Sequence, residues 1–125
     1  MKNGLKEINE TVGVWGSLLC DNQGAIIADQ TPPALNKATL ENISRHVLET
    51  FTTVGAELAG MSEVVLHYHQ RKLFVMDMQQ ALLIVVCTPS VDIPLLRMSA
   101  NVVLANWQTD PKIKKQLEKA FVERL

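Results

Sequence analysis

The residues Ala81-Leu82-Leu83-Ile84-Val85-Val86-Cys87 are apolar at every position. A strand of that content has no face to offer water, so it belongs inside a sheet covered on both sides, by helices. Two further runs precede it, 63–69 and 72–78, both β-branched and apolar in character. The reversals between them, Gln70-Arg71 and Gln79-Gln80, are so short that neighbouring strands must run antiparallel. Neither corner carries Gly or Asn, so the turn signal is weaker than the strand signal.

The rest of the chain supplies the covering layers and another hairpin. Leu5-Lys6-Glu7-Ile8 has the pattern of a short amphipathic opening helix. Residues 13–20 read as a strand, Asp21-Asn22-Gln23-Gly24 as a tight reversal, and Ala25-Ile26-Ile27-Ala28 as the returning strand, stopped by Thr31-Pro32-Pro33. From about Asn36 to Gly60 the period changes. Leu40, Ile43, Val47, Phe51, Val54 and Leu58 recur at steps of three and four, while Glu41, Arg45, Glu49, Thr52 and Glu57 fall off that stripe. This predicts one long helix, started by Asn36 or Thr39 and ended at Gly60. Asp92-Ile93-Pro94 opens another, with a buried stripe of Leu96, Ala100, Val103 and Trp107. Thr109-Asp110-Pro111 starts a last one, with Ile113, Leu117, Phe121 and Leu125 opposite Lys112, Lys115 and Lys119. The product is an α+β fold, a three-layer α/β sandwich.

Charge and length exclude several functions. At 125 residues the chain fits one domain. Twelve Lys and Arg against 13 Asp and Glu leave a net charge of -1, which gives no reason to expect a nucleic-acid partner. The longest apolar run is far below the ~20 residues of a membrane span, and the N-terminus lacks an apolar signal core. The expectation is a soluble cytoplasmic protein without membrane insertion. Cys20 and Cys87 lie in apolar runs and are expected as buried thiols.

No Gly-rich phosphate loop, paired-Cys metal spacing or nucleophile elbow occurs, so no cofactor, metal or catalytic residue is expected and the chain reads as a non-enzyme. His67 and His69, two apart on a strand, share a face and are the arrangement nearest to a metal pair; His46 and Asp77 are the other donors in view. With no third ligand fixed near them, His67, Tyr68 and His69 read instead as decorating an exposed or interface strand. Arg45, Arg71, Arg97 and Arg124 are each better suited to solvated or capping roles than to catalysis. The methionines, spread over different elements, read as core filling.

Taken in order, these residues resemble the roadblock domains of dynein light chains and of the bacterial and archaeal proteins that regulate Ras-like GTPases. The likeness extends to about Trp107. It rests on Val12-Gly13-Val14-Trp15-Gly16-Ser17-Leu18-Leu19-Cys20 with its Asp21/Gly24 turn, on Leu73-Phe74-Val75, and on 81–86 followed by Asp92-Ile93-Pro94-Leu95-Leu96-Arg97. Gln70-Arg71 and Pro94 stand where that family often has Gly. The resemblance implies a roadblock (profilin-like) architecture: a five-stranded antiparallel sheet, the long helix on one face and the first and last helices on the other. It implies a domain over 1–110 and a helical extension over 111–125.

It also implies a homodimer in which the strand 63–69 pairs with its copy while the long helices pack together. That interface would include Val47, Phe51 and Val54 on the helix and Val64, Leu66, His67, Tyr68 and His69 on the strand. An apolar edge strand without Pro is independently an aggregation hazard unless covered. The partner implied is a small Ras-like GTPase, whose nucleotide cycle the dimer would regulate through a surface including Arg45, Glu49 and Arg97; GTP and magnesium would then belong to the partner. The alternatives are a structural adaptor indifferent to nucleotide, and a small-ligand sensor, which would need a polar group facing a cavity.

Overall fold

The computed structural model describes residues 1–21, 23–57, 63–68, 70–78 and 81–122, and only the backbone at 51, 52, 54–57 and 120–122. The elements are α1 (Lys2–Asn9), β1 (Val14–Cys20), β2 (Ile26–Gln30), α2 (Lys37–Glu57), β3 (Glu63–His67), β4 (Lys72–Asp77), β5 (Leu82–Cys87), α3 (Ile93–Thr109) and α4 (Pro111–Val122). The five strands form one antiparallel sheet in the order β2-β1-β5-β4-β3. β5 sits in the centre, and all six of its residues are buried, as its unbroken apolar run requires.

Alternation along the strands divides the core into two layers. Leu18, Cys20, Leu73, Val75, Ile84 and Val86 point to the face covered by α2, where they meet Leu40 and Val47. Leu19, Phe74, Met76, Leu83 and Val85 point to the other face and meet Leu5 and Ile8 of α1 and Leu96, Ala100, Val103 and Trp107 of α3. α4 returns along α3, with Leu117 buried and Ile113 against the same layer. The expected sandwich, with the long helix alone on one side, is therefore the observed one.

Local chemistry sets the element ends. Asp21 Oδ1 accepts from the backbone N–H of Gln23 at 2.7 Å and of Ala25 at 2.9 Å, closing the β1–β2 reversal. Gly24 holds a φ of +87° there, a conformation costly to any residue with a Cβ. Asn36, not Thr39, caps α2: its Oδ1 accepts from Thr39 N–H at 2.9 Å. Asp92 caps α3 through Leu95 N–H at 3.1 Å, with Pro94 in the first turn. Asp110 ends α3 and starts α4, accepting from Lys112 N–H at 2.9 Å. α1 is tied down by polar bonds: Ser17 Oγ donates to Asn9 Oδ1 at 2.7 Å, and Asn9 Nδ2 donates to the Gln30 carbonyl at 2.9 Å.

Two boundaries differ from the sequence expectation. Regular pairing of β3 ends with His67 opposite Lys72, and Tyr68 N–H then donates to the Arg71 carbonyl at 2.8 Å. Arg71 therefore closes this reversal with Tyr68 and does not stand at its corner, because the closing bond of a hairpin lies on the residues flanking the turn. Likewise Met78 N–H donates to the Ala81 carbonyl at 2.9 Å, so both residues close the second corner rather than extending their strands. Leu58, Gly60, His69, Arg124 and Leu125, and the side chains of Phe51, Val54 and Phe121, lie outside the described residues.

Candidate functional site

The two sheet edges are unlike. β2 contains Asp29 and Gln30, is followed by Thr31-Pro32-Pro33, and is braced by the Asn9 bond to its last carbonyl. Those are the charged and proline devices that blunt an edge. β3, with the sequence Glu63-Val64-Val65-Leu66-His67, has β4 as its one hydrogen-bonded neighbour among the described residues. Its outer backbone groups and half-buried apolar side chains suit it, among the described residues, to pairing with another chain.

Alternation sorts the side chains of this edge. Leu66 packs against the α2 layer and Val65 against the α1/α3 layer. Val64 therefore shares the α2 side with Leu66, while Glu63 and His67 share the opposite side with Val65. Beyond the strand, the Tyr68 ring lies 5.7 Å from that of His46 on α2, inclined by 60°. Burial pushes the Tyr68 hydroxyl above its ordinary pKa. On the other side, Arg97 of α3 donates through Nε to Glu63 Oε1 at 2.7 Å, and its Nη2 lies 2.6 Å from the same oxygen. That bond and the carboxylate charge raise the Arg97 pKa further.

The expected site residues fall into distinct places. Val47 is 1% exposed, packed into the layer between α2 and the sheet of its own chain, and so offers no surface to a partner. Val64 and Leu66 are half-buried on the edge, and His67 and Tyr68 are exposed. Arg45 and Glu49 are exposed on α2, whereas Arg97 lies on α3 across the sheet; these three do not form one surface on a single chain. His46 meets Tyr68 on the α2 side, while His67 faces the other way. Asp77 stands five residues along β4 from the position opposite His67, roughly 17 Å away at the rise of a strand. No group of three or more His, Cys, Asp or Glu placed to hold a metal occurs among the described residues.

Two features were not read from the sequence. Trp15, displaced outward where the β1–β5 register shifts between Val14 and Gly16, carries the Arg71 guanidinium over its ring at 4.3 Å from the centroid. A bulge at a single residue leaves little trace in a hydrophobic pattern. An open groove of about 800 Å³ also runs between α3, α4 and the β3–β4 edge, with Met76, Leu104 and Trp107 along it and Glu63, Arg97 and Lys114 at its margins. Its lining is mixed, with Asp77, Asn101 and Gln108 among its polar groups, and it is open to solvent. Among the described residues, no helix is long and apolar enough to cross a membrane.

This sheet order, with α2 alone on one face and the remaining helices on the other, is the roadblock fold. The chain superposes on a Roadblock/LC7 domain from Streptomyces avermitilis with a TM-score of 0.74 at 10% identity, covering 86% of this chain and 94% of that one. It superposes on the gliding protein MglB from Thermus thermophilus with a TM-score of 0.71 at 18% identity, over 94% and 88% of the two chains. Myxococcus xanthus MglB gives 0.68 at 15% identity, over 92% and 84%. At such identities the likeness is one of fold. No protein-family model and no curated protein matches the sequence.

Proposed function

We propose that this protein is a non-enzymatic, homodimeric roadblock protein that binds a small Ras-like GTPase and regulates its nucleotide cycle. The observation that carries the dimer is the β3 edge, which has β4 as its one hydrogen-bonded neighbour among the described residues and carries Val64 and Leu66 towards α2, and Val65 between Glu63 and His67 towards α3. A two-fold axis perpendicular to the sheet keeps both α2 helices on one side, and it requires residues of the same face to lie opposite each other. Centring that axis on Val65 pairs all five strand residues: Val64 opposes Leu66 of the second copy, and Glu63 opposes His67 of the second copy. Apolar pairs then line the α2 side, while on the other Val65 meets its own copy between two Glu63–His67 pairs.

The GTPase assignment is supported by the fold and by the resemblance of the sequence to regulators of that kind. Phosphoryl transfer depends mostly on placement and charge, so a regulator acts by positioning groups the GTPase already has. The test is capture of a GTPase by the tagged protein with a non-hydrolysable GTP analogue and, in parallel, with GDP. A GTPase retained mainly with the analogue, and turning over GTP at a changed rate with the protein added, supports regulation; retention indifferent to nucleotide sinks it.

One observation favours the second reading, a structural adaptor. Arg97 is held by Glu63 and Arg71 by Trp15, so two of the arginines available to reach a nucleotide already serve the protein's own architecture. The dimer itself is tested separately by mass in solution and by oxidation of Val65→Cys. A disulfide between two copies at that position, with none at Leu66→Cys, is the expected outcome; the reverse would place the axis elsewhere.

A further inference from the structure

α3 has a second apolar stripe besides the one it buries. Leu95 is 47% exposed, Met98 66% and Val102 59%, and Ala105 is exposed as well. The steps between them are three, four and three residues, which keeps them on one side of the helix, turned away from the sheet. Thr11 Oγ1 donates to Ser99 Oγ at 3.2 Å, which brings the neighbouring Val12, 86% exposed, to the flank of this stripe. Apolar side chains gathered so densely on one exposed helix face mark an interaction surface.

We propose that this stripe packs against the same stripe of a second copy, helix against antiparallel helix. Spacing of this kind is that of a helix seam, so the partner surface it fits is another helix. Residues 98–109 contain no Asp, Glu, Lys or Arg, so the seam has no charge to attract an acidic or basic peptide and none to repel its own copy. Within 98–109 there is likewise no basic residue to hold an anionic lipid surface. Bulk falls along the stripe, from Leu95 and Met98 to Val102 and Ala105. An antiparallel two-fold near position 100 sets Leu95 against Ala105 of the second copy and Met98 against Val102 of the second copy, so that large meets small and the axes stay evenly spaced. A parallel arrangement would set like against like and splay the helices.

Four side chains and Val12 cover less than the about 800 Å² per partner of a stable interface, so the contact is weak alone. It lies on the face of the sheet opposite α2, and it is therefore compatible with pairing through β3. Two stripes side by side on one β3-linked dimer would act together and strengthen the association.

The test is sedimentation equilibrium over a wide range of protein concentration, for the natural chain and for Met98→Glu/Val102→Glu. At the highest concentration the natural chain should reach about twice the mass that the double variant reaches, whether or not both also pair through β3, and the variant's helical circular dichroism should be unchanged. Mixing Met98→Cys with Val102→Cys under oxidation should give the mixed disulfide in excess over either self-linked product. Identical concentration dependence of the two proteins would overturn the proposal, and so would predominant Met98→Cys self-linkage. Flotation with phosphatidylserine vesicles by the natural chain, but not by the double variant, would overturn it in favour of a membrane. None of these readouts involves a GTPase, so the outcome is independent of the function proposed above.

Discussion

Arg97 and Glu63 clamp α3 to the first residue of the edge strand β3, with Nε and Nη2 of the guanidinium at 2.7 and 2.6 Å from one carboxylate oxygen. Both side chains keep contact with water, so the pair is screened and contributes modestly to stability. Arg97→Ala and Glu63→Gln should each lower the melting temperature slightly. The double variant should lose less than the sum of the two. Full additivity in a double-mutant cycle would show that the contact is energetically silent.

Asp21 is buried, and its Oδ1 accepts two backbone bonds across the β1–β2 reversal. Asp21→Ala removes that acceptor and leaves two N–H groups without it, at a cost of about 1–3 kcal/mol. Asp21→Asn retains an oxygen acceptor and should recover part of the loss. Urea unfolding of the three proteins ranks them; equal midpoints for Asp21→Ala and the natural chain would refute the role.

Gly4 lies in α1 where a Cβ would come within 2.7 Å of Trp107 Cζ2 and of Val103 Cγ1. Alanine is the better helix former by roughly 1 kcal/mol. The clash should outweigh that gain, because overpacking a close helix contact costs about 1–3 kcal/mol. Gly4→Ala is therefore expected to destabilise, and Gly4→Ala with Val103→Ala to destabilise by less than the two changes summed. A raised melting temperature for Gly4→Ala would show that α1 can shift without penalty.

Burial pushes the Cys87 thiol up to about 11, partly offset by its hydrogen bond with the Phe74 backbone and by the charge of Lys72. The neutral thiol is thus favoured in the folded state. An unfolded chain loses that proton at lower pH, so the contribution is complete below the ordinary thiol pKa and is lost as pH rises towards 11. The whole effect is on the order of 2–3 kcal/mol. Cys87→Ser should flatten the fall in stability between pH 9 and 11. At neutral pH the folded protein should resist alkylation at this position until denaturant is added; rapid labelling would contradict its burial.

Elements whose burial follows a local period were legible in the sequence. The 3.6-residue stripe of α2, the caps at Asn36 and Asp92, and the solvent-free β5 each depend on residues close together in the chain. The order of the strands was not legible, because nothing local in β5 states that it pairs with β1 across some sixty intervening positions. The interface reading erred towards the helix at Val47: an apolar stripe of one period does not distinguish side chains that meet their own sheet from those left over for a partner. Regular pairing of β3 ends with His67, and the expected pair of His67 with His69 lies partly outside the described residues. The outer stripe of α3 was passed over for the opposite reason. Leu95, Met98 and Val102 interleave with Leu96, Ala100 and Val103, and the deeper stripe accounted for the helix. Its single charged residue, Arg97, was the available sign that both faces are apolar.

The position of β5 at the centre of the sheet bears on how the protein is made. β1 and β2 emerge first from the ribosome and can close their hairpin, but the inner side of β1 has no neighbour until residues 82–87 follow. The halves of the sheet, β2-β1 and β4-β3, are joined through that one late strand. Synthesis interrupted before it leaves two separate ribbons with their apolar faces unlinked, so a single short segment near the end of the sheet decides when the fold becomes one body.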